Sequence, residues 1–214
     1  MTGPRFSRSG DEAGLRALWK QVFGDRNVFL DTFFREIYVP GMAAVMEDEG
    51  VIVSAAYCVP FGAARYIYAV ATDPAYRGRG CGRAVTLAAA DGKEAYLCPA
   101  SPALRAWYMD AMGAVPAAFR PPLSPAGTLT PISAEEYVRR REALLGDRPH
   151  AEYTPGILAL YALDGGFYTD ENGAVCAVSR DGTVNELLPC PEGGEVYILA
   201  LNGAGPIYWG LTLD

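Results

Sequence analysis

The feature that most constrains the fold of this chain is the run YIYAVATDPAYRGRGCG at residues 66–82. Its first part, residues 66–72, is rich in β-branched and aromatic side chains, as a β-strand prefers. Asp73-Pro74 ends the predicted strand because proline has no N–H to donate, and a helical pattern follows the glycines. The glycine-rich segment 77–82 therefore places several N–H groups at a helix N-terminus, an arrangement that suits an anion and most often a phosphate.

Composition narrows the class of protein. The chain has 214 residues, half of them hydrophobic, which is enough for one sizeable core or for one domain and a smaller second one. With 18 Lys and Arg against 25 Asp and Glu, the net charge is −7, and an acidic chain is a poor non-specific partner for nucleic acid. The five cysteines are widely spaced without a CxxC pair, so reduced thiols are expected.

His150 is the only histidine, which excludes a multi-histidine metal site or a conventional histidine-based triad built by this chain alone. The sequence shows no signal peptide and no apolar run long enough to span a bilayer. We therefore expect a cytoplasmic protein that binds no metal, membrane or nucleic acid. The sequence leaves open whether it is a monomer or a homodimer.

Residues 1–120 predict the order helix, helix, three strands, helix, strand, helix, strand. Asp11 is a candidate cap for the first helix and Gly24 for its end. The second helix is expected at 27–37, and three antiparallel strands at 42–46, 51–57 and 66–72. A fifth strand is expected at 94–98, the last helix at 103–112 and the closing strand at 115–119. Residues 59–62 are expected to break the chain between two of these strands.

The spacing Arg77-x-x-Gly80-x-Gly82 resembles the pyrophosphate-binding motif of the GNAT superfamily of acyl-CoA N-acyltransferases. The longer string Val-Ala-Thr-x-Pro-x-Tyr-Arg-Gly-x-Gly, and Tyr96-Leu97-x-Pro with Trp107-Tyr108 and Gly113, are similar to the same family. The resemblance covers residues 1–120 and implies an α/β (α+β) fold. In that fold a mostly antiparallel sheet is flanked by helices, and its parallel fourth and fifth strands splay apart.

The resemblance implies an N-acetyltransferase that carries an acetyl group from acetyl-CoA to a primary amine of a small molecule or peptide. Loop N–H groups would cradle the pyrophosphate and two arginines would add charge; the implied loop residues are Arg77, Gly78, Arg79, Gly80, Cys81 and Gly82. The main chain of Val70, Ala71 and Thr72 would bind the pantetheine arm and the thioester carbonyl.

Tyr108 is the residue that the resemblance implies as the acid for the leaving thiolate. Family members carry this tyrosine four residues before the glycine that ends the helix, and that position is Met109 here. Counted instead from Leu104, at the other end of the helix, Tyr108 stands where the family places this tyrosine. One residue is about 100° of helix, so the two alignments aim the hydroxyl differently, and a core tyrosine is the alternative.

A general base is not assigned, because the fourth strand has no carboxylate before Asp73. The conceivable groups are Tyr66, Tyr68, Glu47, Glu49, Asp110 and, through the C-terminal carboxylate, Asp214.

The composition of residues 121–131 predicts a linker, and residues 132–214 predict a small α+β domain without a second glycine-rich loop. A capping box at Ser133 starts a helix to about residue 145, a stack of hairpins is expected at 166–188, and further strands at 196–201 and 206–213. Some two-domain acetyltransferases carry a partial GNAT-like second half, which this tail resembles.

Two other functions stay open at this point. The domain could bind acyl-CoA without catalysis, as a sensor or scaffold, since the base is unassigned and Tyr108 is shifted. The glycines could also serve a nucleotide, but they lack the GxGxxG spacing, and no Gly-Lys-Ser/Thr is present. The acceptor amine is not identified by the sequence.

Overall fold

The computed structural model describes residues 1–190, 193–203 and 205–213. Over these residues the helices are α1 (Glu12–Phe23), α2 (Asn27–Glu36), α3 (Cys81–Ala90), α4 (Pro102–Met112), α5 (Ala134–Leu145) and α6 (Pro155–Tyr161). The strands are β1 (Arg5–Phe6), β2 (Ala43–Asp48), β3 (Val51–Phe61), β4 (Ala64–Thr72), β5 (Ala95–Leu97), β6 (Val115–Arg120), β7 (Thr130–Ile132), β8 (Gly165–Thr169), β9 (Val175–Ser179), β10 (Val184–Leu188) and β11 (Glu195–Leu201).

The larger sheet has the strand order β1-β2-β3-β4-β5-β11-β6. Its neighbours pair antiparallel except β4 and β5, which run parallel and share the single register pair Tyr66 and Tyr96. The mixed, mostly antiparallel sheet with a parallel central pair is therefore confirmed. Because β4 continues to Thr72 without further partners on β5, the two strands diverge toward the carboxyl end of β4.

Helices cover both faces of this sheet. Neighbouring strand residues point to opposite sides, and the apolar residues on each side pack against a different pair of helices. On β4, Tyr66 and Tyr68 belong to the apolar core under α1 and α2, whereas Ile67 belongs to the core under α3 and α4. In α1, Leu15, Leu18 and Trp19 recur at helical spacing and are buried against the sheet. The site is therefore built on a sheet that is packed on both sides.

Two local expectations need correction. The chain does not break at residues 59–62, since β3 continues through Pro60, which pairs with Arg65 of β4. A proline is tolerated there because β2 pairs with β3 only as far as Tyr57, so no neighbour needs the missing N–H. Asp11 does precede α1, but its carboxylate accepts from the guanidinium of Arg5 and the N–H of Arg8 rather than from the helix.

The tail forms a second, four-stranded sheet in the order β10-β9-β8-β7, with α5 packed against it. The hairpins expected at 166–188 are confirmed as β8, β9 and β10. Its core joins Tyr137 of α5 to Phe167, Val175 and Leu188 of the strands.

The last strand of the tail lies in the larger sheet instead, between β5 and β6. In β11, Ile198 and Leu199 are fully buried, and Leu199 lies opposite Leu97 of β5. Residues 206–213 do not form the expected strand; within them only Tyr208 makes an isolated bridge, to His150. The division of the chain at residues 121–131 stays a prediction, but the tail is not confined to a sheet of its own.

None of the helices in the described part of the chain is both long enough and apolar enough to cross a membrane.

Candidate active site

The glycine-rich loop is open and left-handed. Gly78 and Gly80 have φ of 75° and 80°, and Gly80 is the cap from which α3 begins. A Cβ atom added at either glycine would meet no atom within 4 Å, so the loop leaves free space on its outer side. Glycine is required here because other residues adopt this backbone region only at a cost of about 1 kcal/mol or more.

The N–H groups of this loop have no hydrogen-bond partner among the residues that the structure describes. In the described part of the chain, nothing accepts a hydrogen bond from the N–H groups of residues 78–82. They lie at the positive end of α3, and the glycines at 78 and 80 are exposed. An uncrowded set of N–H donors at a helix N-terminus fits a diphosphate, so the predicted loop residues suit the pyrophosphate of a CoA ester.

The loop lies against the end of β4. A Cβ on Gly82 would come within 3.4 Å of the Thr72 hydroxyl oxygen, and Asp73 accepts a hydrogen bond from the N–H of Ala75 at 2.8 Å. Arg77 donates from Nε to the Thr72 carbonyl oxygen at 3.3 Å. These contacts place Thr72, at the end of β4, beside the glycine loop.

The two loop arginines lie at the surface. The guanidinium of Arg79 stacks over the ring of Tyr76 at 4.9 Å, and the Tyr76 hydroxyl donates to Asp48 at 2.9 Å. That hydrogen bond raises the pKa of Tyr76, because it favours the protonated hydroxyl. Arg77 and Arg79 are therefore exposed beside the loop, where a phosphate could reach them.

A bulge in β4 marks the point where β4 leaves β5. Ala71 pairs with Ala55 of β3 and Tyr68 pairs with Tyr57, so β4 carries one extra residue between these pairs. Ala69, within the bulge, has a φ of 48°, which is unusual for a residue with a side chain. Ala69 packs with the core under α1, whereas Val70 packs with the core under α3, so the strand changes face here.

Residues 70–72 lie beyond the single register pair with β5. On the other side they are anchored by β3, where the Ser54 hydroxyl donates to the Ala71 carbonyl oxygen at 2.8 Å and lies 2.9 Å from the Thr72 hydroxyl. The binding role of Val70, Ala71 and Thr72 stays a prediction, and this one-sided anchoring is compatible with it.

Tyr108 faces the sheet from α4. Its side chain is 7% exposed and packs in the core that also contains Val85 of α3 and Leu97 of β5, whereas Met109 is 38% exposed. The register of α4 follows from its ends: Ser101 accepts from the N–H of Leu104, and Gly113 closes the helix with a φ of 68°. Of the two positions considered, 108 is the one that points toward the sheet, and its catalytic role stays a prediction.

A cavity of about 410 Å³ lies on the opposite face, under α1 and α2. Its lining from the first part of the chain is Trp19, Phe23, Asp25, Phe29, Tyr68 and Ala69. The tail supplies Leu160, Tyr161, Asp164, Ser179, Thr212 and Leu213. The volume is in the range of small-molecule sites, and the cavity reaches the β4 bulge through Ala69.

The contribution of the tail is what sequence reasoning missed. No local pattern in the sequence marks residues 160–164 or 212–213 as part of a pocket. The Tyr68 hydroxyl donates to the Leu213 carbonyl oxygen at 3.0 Å, across a sequence separation of 145 residues. A contact of that kind follows only from the fold.

The candidates for a general base are dispersed. Glu47 pairs with Arg5 at 2.7 Å, which lowers the pKa of its carboxyl, and Glu49 lies in the turn between β2 and β3. Asp110 is exposed on α4, and Tyr66 is buried beside Tyr68. Of the described candidates only Tyr68 lines the cavity, while Asp214 lies outside the described residues.

In the ranges that the structure describes, no group of three or more His, Cys, Asp and Glu side chains is placed to hold a metal ion. His150 instead lies 2.6 Å from a Glu142 carboxylate oxygen and 2.6 Å from the Arg148 carbonyl oxygen.

Comparison with known proteins agrees with this geometry. Residues 13–107 match the model of the acetyltransferase (GNAT) family, while a search of curated proteins finds no match. An acetyltransferase candidate from Pyrococcus horikoshii is 13% identical, with 86% of this chain and 69% of that chain covered and a TM-score of 0.58. Eis1 from Mycobacterium abscessus is 15% identical, with 92% and 61% covered and a TM-score of 0.55.

A GCN5-related N-acetyltransferase from Kribbella flavida is 16% identical, with 88% and 57% covered and a TM-score of 0.53. At these identities the structures establish the fold alone, and this chain spans 57% and 61% of the length of two of them. The family match contains the glycine loop, β4 and most of α4. Residues 13–107 match the acetyltransferase (GNAT) family, and the chain shares the fold of the acetyltransferase structures to which it is similar.

Proposed function

We propose that this protein transfers an acetyl group from acetyl-CoA to a primary amine of a small molecule or peptide, by direct attack of the amine on the thioester. The observation that carries the proposal is the open glycine loop, whose N–H groups at residues 78–82 have no partner among the described residues. The loop adjoins the end of β4, and the cavity on the other face reaches the same strand at Ala69. Cofactor and acceptor can therefore meet at the gap between β4 and β5.

The residues take distinct roles in this proposal. Bound acetyl-CoA supplies an activated carbonyl and a thiolate leaving group. The N–H groups of residues 78–82 bind the diphosphate, and Arg77 and Arg79 add positive charge beside it. The main chain of residues 70–72 orients the thioester arm, and the Tyr108 hydroxyl holds the proton that the leaving sulfur takes.

The experiment that tests the loop is Gly80→Leu, measured by calorimetric titration with CoA. A side chain at this position enters the open space that the phosphates need, so we expect CoA affinity to fall at least about 100-fold. Gly182→Leu is the matched control, since Gly182 has a φ of 89° and open space but lies in the turn between β9 and β10. Normal CoA binding by the Gly80 variant would contradict the proposal.

A catalytically silent acyl-CoA-binding module is the second candidate. It is favoured by one observation, that neither Glu47, Glu49 nor Asp110 lines the cavity. Release of free thiol from acetyl-CoA, screened over chemically varied amines, separates the two functions. Intact CoA binding with no thiol release from any amine would favour the binding module.

A further inference from the structure

One wall of the cavity is aromatic. Trp19 lies at its centre, with its ring centroid 5.8 Å from that of Phe23, 6.2 Å from Phe29 and 5.7 Å from Tyr68. Phe23 is 43% exposed although it is a large apolar side chain, which places it at the open side of the cavity. Such a wall offers an apolar surface to a bound molecule, and its ring faces also attract a cation.

Asp25 is an acidic group beside this wall that has no cationic side-chain partner among the described residues. Its Oδ2 accepts the indole N–H of Trp19 at 2.7 Å, and the Trp19 side chain is only 1% exposed, so the carboxylate has a fixed direction. Within the described residues no lysine or arginine forms an ion pair with Asp25. The Lys20 ammonium instead donates to the main-chain oxygens of Gly24 and Asp25, at 3.4 Å and 2.5 Å.

The second carboxylate of the cavity is already neutralised. Asp164 pairs with Arg26, and with Arg180 at 3.3 Å, so two guanidinium groups balance its charge. Arg26 and Arg180 are both more than half exposed, which places positive charge beside the entrance. Among the described lining residues, the cavity therefore presents one carboxylate without a cationic partner, at Asp25, rather than an acidic surface for a polycation.

We propose that the acceptor is a primary amine with a single positive charge on an apolar body the size of an aromatic ring. Asp25 binds its ammonium group, and the exposed ring of Phe23 and the partly exposed ring of Phe29 contact its body. The ammonium releases one proton to solvent before its nitrogen attacks the thioester, and the nitrogen loses a second proton as the amide bond forms and the C–S bond breaks. A carboxylate with spare acceptor capacity beside aromatic faces is the chemistry that recognises an ammonium ion. Polyamines fit less well because no other described lining residue offers an unpaired carboxylate to their second and third charges, which meet the two arginines instead. This inference rests on the proposed function, whose acceptor it specifies.

The substrate test compares initial rates of thiol release from acetyl-CoA with 2-phenylethylamine, hexylamine and spermidine as acceptors. We expect kcat/KM for 2-phenylethylamine to exceed that for spermidine at least tenfold. A preference for spermidine would overturn the inference but leave acetyl transfer to amines intact. No thiol release from any amine would contradict the proposed function instead, so the two failures are distinguishable.

The residue test is Asp25→Asn, which keeps an oxygen that can accept the Trp19 indole N–H but removes the charge. We expect KM for 2-phenylethylamine to rise about tenfold or more, with kcat within threefold and CoA affinity unchanged. Asp31→Asn is the matched control, since Asp31 is 63% exposed on α2, pairs with Arg16 and does not line the cavity. An unchanged KM in the Asp25 variant would overturn the inference. Calorimetric binding of 2-phenylethylamine to both variants without acetyl-CoA gives the same comparison independently of catalysis.

Discussion

At the scale of single residues, a difference of about 100° around α4 separates a side chain that faces the sheet from one that faces solvent. Tyr108 and Met109 are adjacent, yet the first is 7% exposed and the second 38% exposed. Ser101 and Gly113 cap α4 and determine where it begins and ends, and packing of Tyr108 against Val85 and Leu97 turns this face of the helix toward the sheet. The tyrosine therefore lies on the same face of the sheet as the glycine loop, where the proposed acid is needed.

Replacing Tyr108 with Phe tests this placement. Loss of the hydroxyl should lower kcat about 100-fold, the lower range for a general acid, while CoA affinity changes less than about twofold. Steady-state thiol release and calorimetry give the two values. Tyr76→Phe serves as the control, because its hydroxyl bonds Asp48 at the loop and has no proposed part in proton transfer. Undiminished turnover in the Tyr108 variant would move the acid role to another group.

At the scale of elements, the bulge in β4 separates the two strands that frame the gap. The extra residue increases the local twist, and β4 leaves β5 after the pair of Tyr66 and Tyr96. Ala69 adopts a left-handed backbone there, at a cost of about 1 kcal/mol. Strain of this kind is found where function requires a particular backbone direction.

A pair of glycine substitutions measures that strain. Ala69→Gly should leave the free energy of unfolding unchanged or raise it by up to about 1 kcal/mol, because relief of the left-handed strain offsets the added chain entropy. Ala71→Gly, two residues along the same strand, should lower it by about 1.5 kcal/mol through lost burial and added entropy. Urea denaturation reports both values. Equal destabilisation at the two positions would show that the bulge carries no strain.

At the scale of the whole molecule, the tail and the family domain are joined by the last residues of the chain. Segment 206–213 runs from the core of the larger sheet to the cavity under α1 and α2, with Trp209 fully buried and Leu213 in the cavity wall. Side chains from both parts bind its backbone: Tyr153 donates to the Trp209 carbonyl oxygen at 2.8 Å, and Arg120 donates to that of Gly210 at 3.0 Å.

A buried ion pair supports this junction. Arg141 of α5 donates from Nε to Glu186 of β10 at 3.0 Å, both side chains are fully buried, and Arg141 Nη2 reaches the Trp209 carbonyl oxygen at 3.3 Å. Tyr137 donates to the same carboxylate. An ion pair in this setting tolerates loss of the Glu186 charge poorly, because the buried Arg141 then keeps only the partly exposed Glu142, at 2.9 Å, as its counter-charge.

The Glu186→Gln variant should therefore lower the free energy of unfolding by about 3 kcal/mol. The surface variant Glu136→Gln breaks the exposed pair with Arg139 and should cost less than about 0.5 kcal/mol. Urea denaturation followed by tryptophan fluorescence measures both, since Trp209 lies at the junction. Similar stability of the two variants would mean that the buried pair does not support this contact.

Much of the family domain could be predicted from sequence because its signals are local. Gly78 and Gly80 require a backbone that few other residues adopt, Pro74 ends a strand, and Gly24 and Gly113 end helices where left-handed caps are found. The expected break at residues 59–62 was wrong, since β3 continues through Pro60. A proline is excluded only where a neighbouring strand needs its N–H, and that depends on strand pairing.

The sequence by itself determined the order of elements to residue 120 and the phosphate-type loop at residues 77–82, because backbone freedom and helix termini are properties of neighbouring residues. Only the tertiary structure decided that β11 would enter the larger sheet, that Leu213 would reach Tyr68, and that Asp25 would lack a cation while Asp164 has two. These outcomes depend on contacts between residues far apart in the chain, which form through packing of the whole molecule and leave no periodic trace in the sequence.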